Sequence, residues 1–582
     1  MRKIFLPLLL FPSCTFLYSQ QLHWAVPLQS TSTERVKNMT IDDAGYVYAT
    51  GDMYAALDFD PSSNMLNVPV AGAADAFVAK YDSIGNVRWA FNLDCTIAAE
   101  GKDITTDHAG NIFVTGTFQG TIDLDPSSAQ FILTANPSGY DAFLAKYDTS
   151  GNFTWGVKYG DTNMDYGLSV AADASGNIFV AGTYQNTVDM DPGAGQFFLS
   201  SFPAGVQTYV SKFNSAGQFQ WAFSLGSLSS SCTSGVMKIK LDAQSNIIIA
   251  GSFQNATDFD PSTNTVALTP NLNAANSDGY IAKYDQNGNY LWAFSLGAAS
   301  GDALYGMDVD VNDNIYVTGS FAGTVDFNPG PGTNNLTPNG SRDIFVAKYT
   351  PAGHYTWAFS EGGAQYDDMG WGICTDPSGN VFVGGYFTGT VDLDPGVGVA
   401  SFSAPAASSN NVGFISKYSS AGNYIWAFDI QGASASLGQT MIYALAPGIN
   451  SESVYAGGYF YGSNVDFDPT AATYPVTNAG QIDAMLLKYN NHWGGVGIAE
   501  NQNNDFSVGP NPFLESITLN FKNENDPAID LFNSEGKRLI FRSTVNEAGL
   551  TIYRDDLPPG IYYLRIVDKS GIVISTDKII AY

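Results

Sequence analysis

Seven tryptophans at a mean spacing of 67 residues, seven copies of an Asp-x-Asp-Pro motif, and an opening strand that supplies what the last repeat lacks predict an all-β chain. The expected architecture is a seven-bladed β-propeller closed by an N-terminal strand and followed by a small C-terminal β-sandwich. The chain has 582 residues, so one large repeat array plus an appendage accounts for its length. With 45% hydrophobic residues it can bury a large core in spite of a net charge of −30. That charge argues against nucleic acid or an anionic membrane as the main partner, because both need a basic footprint.

The first segment stands apart from the repeats. Met1-Arg2-Lys3 is followed by an apolar run from Ile4 to Phe11 and by small Ser19 before Gln20-Gln21, which reads as a signal peptide over residues 1–19. No later window approaches the ~20 apolar residues of a transmembrane segment. Besides Cys14, the cysteines are Cys95, Cys232 and Cys374, scattered among different repeats, so buried or unpaired thiols are expected rather than a disulfide framework. The four histidines are dispersed and Cys-x-x-Cys is absent, which leaves zinc little support.

The repeats fill residues 20–493. Trp24, Trp89, Trp155, Trp221, Trp292, Trp357 and Trp426 are each followed by Ala or Gly. Asp-x-Asp-Pro stands at 58–61, 123–126, 189–192, 258–261, 392–395 and 466–469, and Asn328 replaces the second Asp in the copy at 326–329. Lys-Tyr or Lys-Phe recurs at Lys80, Lys146, Lys212, Lys283, Lys348, Lys417 and Lys488, and an Asp-x-x-Gly-Asn-like turn leads into a β-rich run, as at 107–116. In the second unit the strands fall at roughly 102–107, 111–118, 141–148 and 152–157, with a spur at 121–125. The chain opens on an orphan Trp strand, 22–28, and its last unit stops after Lys488-Tyr489 without one. Together these halves make one blade, which closes a ring and gives no reason for a linear stack. The seventh unit departs most, with Ala446-Pro447-Gly448-Ile449-Asn450 in place of the Asp-led turn.

Gly-Asn-Ile-Phe-Val-x-Gly, the Lys-Tyr pair and Gly-Asn-x-x-Trp-Ala resemble the SBBP-type β-propeller repeats of bacterial secreted proteins over about residues 22–490. The resemblance implies fold rather than chemistry.

A polar, glycine-bearing linker at 494–504 leads to a compact unit at 505–582 with alternating runs at 517–521, 528–532, 538–541, 561–567 and 573–580. Phe506 to Phe513, which contains Pro510, Asn511 and Pro512, precedes Leu557-Pro558-Pro559-Gly560-Ile561-Tyr562-Tyr563-Leu564 and the terminal Lys578-Ile579-Ile580. In that order these elements resemble the type A C-terminal sorting domain of the type IX secretion system. Gly509 departs from the aromatic common before Pro-Asn-Pro. The resemblance implies periplasmic passage, recognition by the outer-membrane export machinery, and release or attachment at the outer surface of a Bacteroidetes-type cell.

Residues 20–494 carry 43 acidic and 15 basic side chains, and 39 of those acids are Asp. Asp alone, rather than Asp with Glu, points to tight turns capped through backbone amides. Two readings stand for the repeated carboxylates Asp58, Asp60, Asp123, Asp125, Asp189, Asp191, Asp258, Asp260, Asp392, Asp394, Asp466 and Asp468. One is an Asp-Pro turn motif; the other is calcium, since alternate residues of an extended strand put both carboxylates on one face. No other cofactor is expected. The seven repeated lysines are expected to form ion pairs with Asp of their own units, because a partly buried ammonium is costly unpaired.

The sequence has no nucleophile elbow, phosphate-cradling loop or His-Glu-x-x-His. Acids outside the repeat pattern are few: Glu361, and Asp367-Asp368 near Trp371, with Asp367 matched to Asp165 in Asp165-Tyr166-Gly167. The favoured expectation is a secreted or surface-displayed binding or scaffolding protein for an unknown extracellular glycan or protein. The alternative is an extracellular enzyme on polysaccharide or peptide, with its site at the mouth of the propeller channel.

Overall fold

The computed structural model describes residues 19–492 except 61, 63, 202–204, 229–232, 272–275, 299, 365, 405–409, 433–437, 450–452 and 471. Beyond them it describes residues 506–509, 516–521, 528–533, 538–539, 543–546, 549–553, 557, 560–567 and 573–581. The signal segment 1–18, the linker at 494–504, Cys14 and Cys232 lie outside the described residues.

Seven four-stranded antiparallel blades surround an axis. The first pairs Glu34–Ile41, Val47–Met53, Asp75–Tyr81 and Val87–Leu93 in sequence order. The seventh takes Gln439–Pro447, Ser453–Tyr461 and Asp483–His492 from the end of the ring and its fourth strand, Ser19–Leu28, from the start of the chain. Trp24 lies opposite Lys488 in that seam, so the expected complementary offset is met by direct pairing. Each first strand touches the first strands of both neighbouring blades, including Gln439–Pro447 with Glu34–Ile41, and the circle closes. Strands such as Asp141–Tyr147 are buried along their whole length and read as nearly continuous apolar runs. The spur at 121–123 is one arm of a small hairpin with 132–134, repeated between the second and third strands of each blade.

Two glycines per repeat follow from close approach. In every second strand one glycine lies under a carbonyl of the first: a Cβ on Gly116 would sit 2.0 Å from the Glu100 oxygen, and on Gly51 1.8 Å from that of Arg35. The other glycine ends the turn between third and fourth strands at positive φ, +89° at Gly85 and +84° at Gly151, where a side chain strains the backbone. The fourth-strand indole of the preceding blade covers it: Trp24 over Gly85, Trp89 over Gly151, Trp155 over Gly217, Trp292 over Gly353 and Trp357 over Gly422.

The repeated lysines bond to the same turns. Lys80 Nζ donates to the Thr149 carbonyl at 2.9 Å, Lys146 to Ser215, Lys212 to Gln286, Lys283 to Pro351, Lys348 to Ser420 and, across the seam, Lys488 to Ser83 at 2.8 Å. An aromatic ring lies beneath the ammonium in most blades, as with Lys80 over Tyr46 and Lys348 over Tyr316. Only Lys283 and Lys417 pair with the expected carboxylates, Asp242 at 2.8 Å and Asp376 at 3.1 Å. The expectation of Asp partners is therefore corrected for most of the set: the ammonium is satisfied by a neighbour's carbonyl and a ring face. Lys417 is the instructive exception. The seventh blade has no turn between its third and fourth strands, so among the described residues Lys417 has Asp376 and the Phe382 ring but no turn carbonyl, whereas Lys283 has both carbonyl and carboxylate.

The C-terminal unit has two four-stranded antiparallel sheets. One joins Phe506–Gly509, Ser516–Phe521, Gly549–Tyr553 and Ser543–Asn546; the other joins Arg538–Leu539, Ala528–Asn533, Gly560–Val567 and Val573–Ala581. Ile517, Leu519 and Ile552 of the first and Leu531, Tyr562 and Leu564 of the second are buried. The strands at 506–509, 543–546 and 549–553 escaped the sequence reading.

If the indole-on-glycine contact holds blade to blade, Gly85→Ala lowers chemical-denaturation stability by roughly 1–3 kcal/mol, since it adds both strain and a clash with Trp24. Gly235→Ala, where a Cβ meets nothing within 4 Å, serves as the neutral control. Equal losses at the two positions would refute the contact's role.

Candidate functional site on the propeller axis

The Asp-x-Asp-Pro carboxylates lie on the small hairpins, where they close them. Asp58 Oδ1 accepts the amides of Asp60 at 3.0 Å and Leu66 at 2.7 Å, and Asp60 Oδ1 accepts that of Ser62 at 2.9 Å. The same set recurs for Asp123 and Asp125, Asp189 and Asp191, Asp258 and Asp260, Asp392 and Asp394, and Asp466 and Asp468. Asn328 serves equally, its Oδ1 accepting the Gly330 amide, because an amide oxygen does the same work. The residue between the two acids is buried, and in six blades its carbonyl accepts the third-strand tyrosine hydroxyl, as from Tyr81 to Phe59 and Tyr489 to Phe467; the third blade has Phe213 there. Calcium needs six to eight oxygens. Two carboxylates with one oxygen each committed to amides do not fit that demand, and among the described residues no three His, Cys, Asp or Glu side chains gather as a metal set.

The non-repeat acids are drawn into packing. Asp368, not Asp367, is the counterpart of Asp165, a correction of one residue. Asp368 accepts the amides of Gly363 and Thr388, both at 2.8 Å, and Asp165 those of Asp161 and Gln185, each holding the loop that enters a first strand. Burial pushes both carboxyls up to about 7 against those amide bonds, Glu34 likewise to about 7, and Asp278 and Asp302 to about 6. Glu361 is buried against the Tyr418 hydroxyl, and its carboxyl is raised by burial. Cys95 and Cys374 are buried free thiols.

What breaks the repeat chemically gathers at the axis. All seven first strands carry a bulge at the same level, and the residues skipped in the register are Lys37, Lys102, Leu168, Met237, Tyr305, Trp371 and Tyr443. Bulges commonly re-aim side chains beside functional sites. Here the backbone keeps its sevenfold form while the side chains pass from cationic through aliphatic to aromatic. The Tyr305 and Trp371 rings stack at 4.3 Å and 17°, Trp371 meets Tyr443 edge-on at 5.4 Å, and Lys37 Nζ lies 5.2 Å from the Tyr443 ring centre. The arc thus crosses the seam from the fifth blade to the first.

Charged groups flank it. Arg35 donates to fully buried Asp52 at 3.1 Å, Lys37 lies 3.8 Å from the same carboxylate, and Lys102 pairs with Glu100. Burial raises Asp52 and lowers Lys37. Burial also works against the Glu100 carboxylate, yet Lys102, Lys37 and Arg35 hold its pKa below the usual range. Past the bulges, polar contacts step from blade to blade: Asn38 to Asp103, Ser169 Oγ to Asp103, the Ile239 amide to Ser169 Oγ, Lys240 to Asp308, and Thr375 to Asp308. The sequence reading noted Trp371 alone of this group. Its neighbours are separated by a whole repeat, and the bulge that aligns them has no residue signature.

Residues 507–581 match the family model for the secretion system C-terminal sorting domain. That segment is a type IX sorting domain. The protein is accordingly exported by type IX secretion to the cell surface or the extracellular space, through engagement of the sorting domain by that machinery, and no helix among the described residues is long and apolar enough to cross a membrane. Within the domain Leu557 and Tyr562 are buried, Gly560 and Ile561 begin the strand Gly560–Val567, and Lys578 lies opposite Tyr563. Pro510, Asn511, Pro512 and Pro558 lie outside the described residues.

The chain is similar to an uncharacterized WD repeat-containing protein of Acanthamoeba polyphaga mimivirus, 24% identical over 572 residues that cover 84% of this chain and 38% of that one. It is similar also to the regulatory protein FlaEY of Caulobacter vibrioides, 28% identical over 180 residues, 30% of this chain and 18% of that one. The chain thus spans well under half the length of either relative. Among solved structures it resembles the Dos1 propeller, with a TM-score of 0.37, 10% identity and coverage of 80% of this chain and 95% of that one. A Dyadobacter fermentans protein of unknown function gives 0.34, 6%, 81% and 100%.

Two outcomes follow. Unfolded, the raised carboxyls titrate near 4, whereas the fold retains their protons to about 6 or 7. Stability therefore falls as pH rises from about 4 to 7, and the urea midpoint is higher at pH 5 than at pH 8. The double variant Asp165→Asn, Asp368→Asn narrows that gap; an equal or higher midpoint at pH 8 contradicts the assignment. Chelation followed by calorimetric titration with millimolar calcium gives no heat and no change in Tm, and a calcium-dependent rise in Tm would overturn the turn reading of the Asp pairs.

Proposed function

We propose that this secreted propeller is a binding protein whose ligand site is the axial arc of Tyr305, Trp371 and Tyr443 with Lys37, Arg35 and Lys102. The observation that carries this reading is the division of labour among its side chains. Repeated polar residues are consumed in turns, hairpins and blade-to-blade bonds, while the residues that differ from blade to blade come together at one level around the axis. Binding sites of this kind combine aromatic surface with a few convergent polar groups.

A binding role is favoured over hydrolysis because, of Glu361, Asp367 and Asp368, only Asp367 is partly exposed. Asp368 and Glu361 are buried in packing contacts, and a glycosidase needs two carboxyls flanking a bond. Glycan and peptide arrays probed with the exported protein test the proposal. Ligand capture that disappears in Trp371→Ala while its thermal unfolding is unchanged supports the arc, and capture indifferent to that variant contradicts it. For the sorting domain, removal of residues 505–582 leaves the propeller inside the cell envelope; undiminished export would refute the role of that domain.

A further inference from the structure

We infer that the axial arc takes an oligosaccharide bearing carboxylate groups, a uronate-containing glycan rather than a neutral one. The inference rests on the binding reading above and names the ligand class for the same site.

Three observations carry it. The first is the aromatic surface. Tyr305, Trp371 and Tyr443 come from consecutive blades, are each partly exposed, and adjoin one another through ring contacts at 4.3 and 5.4 Å. Tyr305 and Trp371 cover one face of each other, so the aromatic surface left to a ligand is an outer ring face and the ring edges; the apolar C–H face of a pyranose can lie against it while the hydroxyls stay hydrated. Tyr386 and Tyr459 are buried and pack against Trp371 and Tyr443.

The second is the placement of positive charge. Of the 15 basic residues in the ring, seven are the lysines of the repeat, most of them committed to neighbouring turns. Five of the other eight, Arg35, Lys37, Lys102, Lys238 and Lys240, lie on the first strands around the axis. The same strands carry the acids Glu34, Glu100, Asp103 and Asp308, and Lys240 pairs with Asp308, so the cations that bear on a ligand are those at the arc. At the level of the arc three cations face two acids, Asp52 and Glu100, which leaves one positive charge over. Asp52 is wholly buried, whereas the Arg35, Lys37 and Lys102 side chains keep 28%, 21% and 24% exposure. Glu100, paired with Lys102, is 32% exposed, so a ligand meets Arg35 and Lys37 ahead of buried Asp52 but meets Glu100 alongside Lys102. Arginine suits a planar carboxylate because its fork of donors can grip both oxygens.

The third is adjacency. Lys37 lies over the Tyr443 ring, and Arg35 is close enough to Tyr443 and Tyr459 to act on their hydroxyls electrostatically. A sugar stacked on the aromatic run thus brings a ring carboxylate to the cationic end without crossing open solvent. Export to the cell surface or medium places the site where acidic polysaccharides occur.

Titration of the full exported protein with uronate tetrasaccharides, beside cellotetraose as the uncharged probe, tests the inference by calorimetry and tryptophan fluorescence. The expected result is binding of a uronate tetrasaccharide at least about tenfold tighter than cellotetraose. Tyr305→Ala and Trp371→Ala each lose about tenfold or more, Trp371→Phe keeps most of the affinity, Arg35→Gln removes the preference for acid, and Arg35→Lys restores part of it. Thermal unfolding of each variant confirms that it folds. Equal affinity for cellotetraose, or uronate binding unmoved by these variants, overturns the inference. If neither sugar binds but an array peptide or neutral glycan is captured in a Trp371-dependent way, the ligand class is wrong and the binding reading stands; if nothing on the arrays depends on Trp371, both fall.

Discussion

The contact on which the ring depends is the one between an outer-strand indole and the turn of the next blade. A blade is a small sheet with two apolar faces, and alone it would leave both in water. It is stable only when each face is covered by a neighbour, so the positions where neighbours meet set the terms for the rest. The turn glycine must be glycine because its φ is positive and an indole lies on it. The lysine opposite that tryptophan reaches the same turn through its carbonyl. These three residues are three markers of one contact, and their common spacing is the angular step of the propeller written along the chain. The seam obeys the same rule. Trp24 on Gly85 and Lys488 to Ser83 make the closure between first and last blades a contact of the ordinary kind, although Lys488 and Ser83 are 405 positions apart.

The same reasoning explains the charge. An acidic excess of this size would ordinarily suggest a surface built to attract cations or repel anions. Here the aspartates are turn-formers: their oxygens face backbone amides two, four and eight residues on, and although burial works against them, those amides hold carboxyls such as Asp82 and Asp310 below the usual range. Once those groups are set aside, one cluster of charges that a ligand could meet lies where the first strands bulge, at Arg35, Lys37, Glu100 and Lys102.

The ring was legible in the sequence because the features that define it are repeated six or seven times at one spacing. Blade number, the closing strand and the hairpin spur all followed from spacing. Lysine partners did not, because a bond from Lys80 to a carbonyl near residue 149 leaves no trace in side-chain chemistry: any residue supplies a carbonyl. The shift from Asp367 to Asp368 had a simpler cause: two acids are adjacent there, and the one two residues before the glycine, as Asp165 is before Gly167, is Asp368. The axial arc was hidden for a deeper reason. Repetition reveals what is constant, and a site made of Lys37, Tyr305, Trp371 and Tyr443 is built from what varies at one structural level. Only the alignment of seven bulges shows that these residues share it.

The central claim is that the N-terminal strand is a full member of a closed ring. Native-state amide hydrogen exchange tests it most directly. If the seam equals the other interblade contacts, amides of residues 22–28 and 484–489 exchange only through the same global opening as the buried strands at 141–147 and 343–349, with matching free energies. Exchange of the N-terminal strand at markedly lower free energy, with the other blades still protected, would show an open ring with a loosely attached strand and would contradict the account.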